Sequence, residues 1–303
     1  MAGIIKVDAM NMGWTSLRRT AATLALLGAG LGAAVTVGAQ NREGVEVGGN
    51  SVFTKLTSAE DMEHTAQLQY RQQLEQAAQK RALAPADHPQ LVRLRGIAQR
   101  LIPFAQPWNP RAKDWKWEVN LIGSKQINAY CMPGGKIVFY TGILSQLQLT
   151  DDEVAMVMGH EIAHALREHA RERMGKSAVT QGVARLGGAV LSAWLGIDPR
   201  LTDNVARGGA NLAALSFSRG DESEADLVGM ELAARAGFDP RAGITLWQKM
   251  STASKGAPPQ WLSTHPSGQT RIADIEKNLP KVMPLYERAR KAQAGSAARA
   301  ATR

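Results

Sequence analysis

The run from Thr150 to about Lys176 constrains this chain most, because it is apolar and Ala-rich yet carries His160-Glu161-Ile162-Ala163-His164 in its middle. Thr150 with Glu153 three residues on makes a capping box, so the spacing predicts one helix starting there and running to about Lys176. Two histidines four apart lie on one face of a helix and can share a metal ion. Glu161, beside the first, is placed to take a proton from an attacking water. The pattern gives zinc two imidazoles, a third protein ligand still to be found, and one open position. A chance occurrence on a solvated helix face is disfavoured by the rarity of the pattern and by the cap beside it.

The third ligand has two candidate sources. In a continuous helix, His169 lies roughly 13 Å along the axis from His160 and is turned roughly 140° from His164, which makes it a surface residue. Sites that take a nearby third histidine need Gly three residues and His six residues after the second one, and here those places hold Arg167 and Ala170. The segment Ser218-Arg219-Gly220-Asp221-Glu222-Ser223-Glu224-Ala225-Asp226 opens another predicted helix, ending near Gly237. Glu222 and Asp226 share a face and Glu224 points away. Glu222 is therefore the expected ligand, with Asp226 behind it to orient a ligating imidazole.

The 303 residues are 44% apolar and suit one catalytic domain with tails. Arg18 and Arg19 precede an uncharged Ala/Leu/Gly run ending in Val37-Gly38-Ala39, which reads as a signal peptide over 1–39 and implies export to the periplasm. An uncleaved inner-membrane anchor is the alternative. The segment contributes +2 of the net charge of +9, and the Ala-rich tail 281–303, with six basic residues and one acidic, contributes +5. That tail is expected to be disordered, with peripheral contact to anionic membrane lipid as a second reading. No basic motif in the domain points to nucleic acid.

Between these ends, 40–57 reads as a linker and 58–280 as the domain. Helices are expected over Ser58–Ala82 and His88–Phe104, with His64 and His88 at solvated or capping positions. Strands follow at Trp117–Ile122, Ile127–Met132 and Lys136–Thr141, the last two joined by Pro133-Gly134-Gly135. An edge strand beside an HExxH helix can hold an extended peptide, so Gly135, Lys136, Ile137 and Val138 are the expected substrate-binding residues. Cys131 cannot form an intramolecular disulfide and reads as a buried strand residue. Ser177–Ile197 is expected to be a helix packed on the core, and Asn204–Leu215 another.

The paired motifs His160–His164 and Glu222–Asp226, with Ser218-Arg219, Asn128-Ala129-Tyr130 and Pro133-Gly134-Gly135, resemble the CAAX-prenyl-endopeptidase-like family of zinc metallopeptidases, especially its soluble bacterial periplasmic members. The resemblance covers about residues 58–280. It implies a mainly α domain with a small β-sheet (α+β, gluzincin-like), one Zn2+ per chain, and cleavage of unfolded or misfolded envelope proteins. It also implies that His265 and Arg271 stabilise the oxyanion, or that His265 caps the zinc in a latent state. The rival reading is a holdase-like module with a structural zinc.

Overall fold

The computed structural model describes residues 43–180, 215–254, 259–265 and 270–301. The expected signal segment, most of 177–197 and nearly all of 204–215 lie outside them. Ser58 accepts the Asp61 N–H and starts α1 (Ala59–Gln79), and His88 Nδ1 accepts the Gln90 N–H at the start of α2 (Pro89–Leu101). Strands β1 (Glu118–Ile122), β2 (Ala129–Met132) and β3 (Lys136–Tyr140) follow, then α3 (Thr141–Leu147) and α4 (Asp151–Leu166). A further helix, α5, occupies 169–180. After the next described segment come α6 (Arg219–Arg235), α7 (Ala242–Ala253), α8 (Gln260–Thr264) and α9 (Thr270–Ala301).

The sheet overturns the substrate-strand expectation. Its order is β1-β3-β2, with β3 parallel to β1 and antiparallel to β2. Lys136, Ile137 and Val138 therefore lie on the middle strand, with Gly135 at its start, and neither side of that strand is open to a peptide. The edge facing α4, the helix that carries His160 to His164, is β2. Gly134 and Gly135 turn the hairpin at φ 80° and 75°, values that favour glycine, and a Cβ on Gly135 would lie 2.6 Å from the Trp117 ring. Side chains alternate as a two-faced sheet requires. Tyr130, Met132 and Val138 meet Met62, Ala66 and Tyr70 of α1, and Cys131, Ile137 and Phe139 join the main core.

Helix α4 is the centre of that core: every residue from Glu153 to Leu166 is buried. A helix apolar on all sides must be enclosed, which is why its motif ends up inside the protein. The capping box forms as predicted, and the Lys249 ammonium also bonds Glu153 at 2.6 Å.

Helix α6 crosses α4 backbone to backbone. A Cβ on Gly229 would lie 2.6 Å from the His160 nitrogen, and one on Gly159 would lie 2.7 Å from the Gly229 carbonyl oxygen. Glu222 sits two turns before Gly229 on α6, so this crossing sets its distance from the histidines. Gly229→Ala should cost about 1–3 kcal/mol by overpacking. It should also weaken zinc binding, measured by chelator competition alongside denaturant unfolding.

Three other expectations change. The helix does not run unbroken to Lys176: α4 ends at Leu166, whose carbonyl accepts from buried Asn109, and Glu168 takes φ 57° before α5 begins. The described part of the expected linker, from residue 43, packs on the domain, with Val45 buried and its N–H donating to Glu231 at 2.8 Å. The tail expected to be disordered is helical through Ala301, and buried Val282 and Leu285 carry the core past residue 280. Among the described residues, no helix is long and apolar enough to cross a membrane.

Candidate metal centre

Helix α4 presents the Nε2 atoms of His160 and His164 to each other at 3.0 Å. The α6 capping box, Ser218 with Asp221, starts that helix one turn before Glu222. Its carboxylate oxygens lie 3.5 Å from His160 Nε2 and 3.4 Å from His164 Nε2. His265, at the end of α8, brings Nδ1 to 3.0 Å from Glu222 Oε1 and 3.2 Å from His160 Nε2. One ligand atom from each of His160, His164, Glu222 and His265 falls within 4.8 Å of the others. Imidazole lone pairs facing each other and a carboxylate, all buried, need either protons or a cation between them, so the donor set fits a metal ion.

The surroundings orient these donors. Asp226 accepts from His160 Nδ1 at 3.0 Å, as its spacing predicts, leaving Nε2 for the metal. Arg271 reaches the site, but behind it. Its Nε and Nη2 donate to Asp226 at 2.5 and 2.6 Å, and its Nη1 donates to Glu222 at 2.6 Å. The guanidinium also lies over the Trp247 ring, 3.8 Å from its centroid. These bonds give Arg271 a positioning role on the ligand Glu222 and on Asp226 behind His160, in place of the oxyanion role implied by resemblance.

Glu161 is buried and accepts from the Trp261 indole N–H at 2.6 Å, with His265 Nε2 at 3.5 Å. Trp261 stacks on His265, and Phe217 stacks on His164 at 4.0 Å between centroids. Sequence reasoning missed both aromatics. Their only signal is position: Trp261 precedes His265 by one helical turn, and Phe217 directly precedes the α6 cap.

His169 is not a surface residue. It is 2% exposed, with Nδ1 2.9 Å from His164 Nδ1 and Nε2 3.4 Å from Glu224. The continuous-helix geometry that placed it outside fails at Glu168. Cys131 is buried on β2 as expected, and burial pushes its thiol pKa well up, which makes it inert.

Charge in the cluster is uneven. Burial alone would lower His160, but bonds to Asp226 and Glu222 and their charges outweigh it, and its pKa is pushed up to about 9. Burial and the neighbouring His160 charge hold His164 well below the ordinary imidazole value. Burial would raise Glu222 and Asp226, yet both stay below the carboxylate range, through histidine bonds for Glu222 and chiefly the Arg271 charge for Asp226. In the metal-free protein, the His160 contribution to stability is complete below pH 6.5 and is lost as pH rises through about 9. A zinc ion taken up by this donor set would displace that proton. Zinc affinity should therefore rise with pH across this window, with about one proton released per ion at pH 7. Calorimetric titration in two buffers of different protonation enthalpy reads that number directly.

Sequence comparison bears on the same region. The family model described as Peptidase family M48 matches residues 92–279. The chain is 32% identical over 207 residues to the mitochondrial metalloendopeptidase OMA1 of Schizosaccharomyces pombe, covering 68% of this chain and 58% of that protein. It is 39% identical over 158 residues to the Arabidopsis thaliana OMA1, covering 51% of this chain and 30% of the relative. It is 32% identical over 173 residues to the beta-barrel assembly-enhancing protease of Escherichia coli, covering 54% of this chain and 35% of the relative. The matched region therefore spans about a third to somewhat over half of these relatives. It takes in both motifs of the buried donor set, and on this evidence the chain belongs to peptidase family M48.

Proposed function

We propose that this chain is a zinc-dependent endopeptidase of the bacterial cell envelope, acting in the periplasm on unfolded, misfolded or damaged exported proteins. One observation carries the catalytic part: His160, His164 and Glu222 converge in the core with Glu161 held beside them. His160, His164 and Glu222 would hold the zinc, which when bound supplies a Lewis acid for the scissile carbonyl. Glu161 takes the proton of the attacking water and returns it to the leaving amine. Trp261 fixes the carboxylate that does this, and Asp226 with Arg271 fixes the ligands.

Substrate would add to β2. In the antiparallel pairing of β2 with β3, the Tyr140 N–H donates to the Asn128 carbonyl. The alternation turns the main-chain groups of Ala129 and Cys131 away from β3. Both residues are buried here, and the Trp261 N–H of α8 donates to the Ile127 carbonyl at the start of the same edge. With His265 in the donor set, this arrangement is the resting form, and α8 must leave β2 before a peptide can enter.

The export reading rests on residues 1–39, and peripheral membrane contact on the basic end of α9. Purified protein lacking residues 1–39 should cleave casein, and chelator should stop it. Fractionated cells should hold the chain in the periplasm, with envelope proteins accumulating when it is deleted. Zinc binding without cleavage by either the parent or His265→Ala would favour the holdase-like alternative. A cytoplasmic location would overturn the envelope role.

A further inference from the structure

The two ligand histidines have different outer partners. His160 turns Nδ1 to the Asp226 carboxylate at 3.0 Å, whereas His164 turns Nδ1 to another histidine, with His169 Nδ1 at 2.9 Å. Two imidazole nitrogens at that distance share one proton, so one donates and the other accepts. His164 can offer Nε2 to a metal only if its own Nδ1 carries the proton. His169 Nδ1 must then accept, its proton must sit on Nε2, and that N–H points at Glu224 Oε2, 3.4 Å away. Arg167, also buried, donates to Glu224 and fixes the carboxylate.

The backbone is bent to make this contact. In an unbroken helix, His169 would sit roughly 7.5 Å up the axis from His164 and roughly 140° around it. Instead α4 stops at Leu166 and Glu168 takes φ 57°, a left-handed conformation that residues other than glycine rarely adopt. That residue is held by Arg171 Nη1, which donates to Glu168 Oε1 at 2.7 Å, and by Asn50 Nδ2, which donates to Oε2 at 3.1 Å. The turn brings His169 back over His164, their rings 4.9 Å apart and 75° between planes.

We propose that His169, backed by Glu224, is the positioning residue for the second metal ligand: the chain Glu224–His169–His164 sets the His164 tautomer as Asp226 sets that of His160. It rests on the metal reading given above. Sequence spacing explains why it is hidden, since Glu224 falls on the wrong face of α6 to be a ligand and so faces the end of α4.

The test is zinc affinity of the purified chain by competition with a chromophoric chelator, for the parent, His169→Leu, His169→Gln and Glu224→Gln. Outer partners of ligating histidines contribute about 10–100-fold in metal affinity. His169→Leu should lose that much, whereas His169→Gln, whose amide oxygen can accept from Nδ1, should recover most of it. Glu224→Gln keeps an amide oxygen to accept from Arg167, and should lose about 10-fold, the low end of that range. Nitrogen-15 spectra of the zinc-loaded parent should place protons on His164 Nδ1 and His169 Nε2. Equal zinc affinity in the parent and His169→Leu would overturn the proposal, as would equal losses in His169→Leu and His169→Gln. If His169→Leu fails to fold, an unchanged affinity in Glu224→Gln decides against it. A parent that binds no zinc would instead sink the metal reading on which it rests.

Discussion

Glu161→Gln should abolish peptide-bond hydrolysis while leaving zinc content and fold unchanged. The glutamine keeps the oxygen that accepts from Trp261 Nε1, so the buried contact at 2.6 Å survives. What is lost is a carboxylate able to take and return a proton, an effect of about 10^2 to 10^4 in rate. The readout is casein cleavage with zinc quantified in the same samples. Loss of zinc along with activity would show that Glu161 acts through the fold. Residual cleavage near the parent rate would remove it as the general base.

Arg271→Ala should be the most destabilising single change at the site. Arg271 is 3% exposed and bonds both Asp226 and Glu222, so its removal leaves two adjacent buried carboxylates without the guanidinium that joins them, and with His160 as their remaining positive partner. Breaking a buried ion pair from one side costs about 3–5 kcal/mol. For a chain of this size that lowers the melting temperature by roughly 5–8 °C. The loss should be largest in the metal-free protein, because a bound zinc supplies positive charge to the same carboxylates. Arg271→Lys should recover part of it, since the charge stays but the two-pronged bond to Asp226 does not. Equal melting temperatures for parent and Arg271→Ala without metal would contradict the positioning role.

Much of this site was legible because its signals are local. The Thr150/Glu153 box and the acidic run Ser218–Asp226 mark two helix starts, four-residue spacing pairs His160 with His164 and Glu222 with Asp226, and each pairing appears in the structure. What stayed hidden depends on tertiary choices. Glu168 is not glycine, so nothing in its type announces the left-handed turn that redirects His169. Strand order is equally silent: the turn at Pro133-Gly134-Gly135 predicts a strand over Lys136–Thr141, but only pairing on both sides makes it the middle one. Composition led the tail astray, because its Ala and Arg content suits a solvated chain as well as a helix, and Val282 and Leu285 find partners only in the folded core. Trp261 and Phe217 lack any ligand spacing at all, and their roles come from stacking against the metal histidines.

The most direct test of the central claim is zinc K-edge X-ray absorption on the zinc-loaded protein. The account predicts one ion per chain with nitrogen and oxygen neighbours at about 2.0–2.2 Å and the multiple-scattering signature of two or three imidazoles, three if His265 stays in place. A sulfur neighbour at about 2.3 Å, or a shell without imidazole, would contradict it.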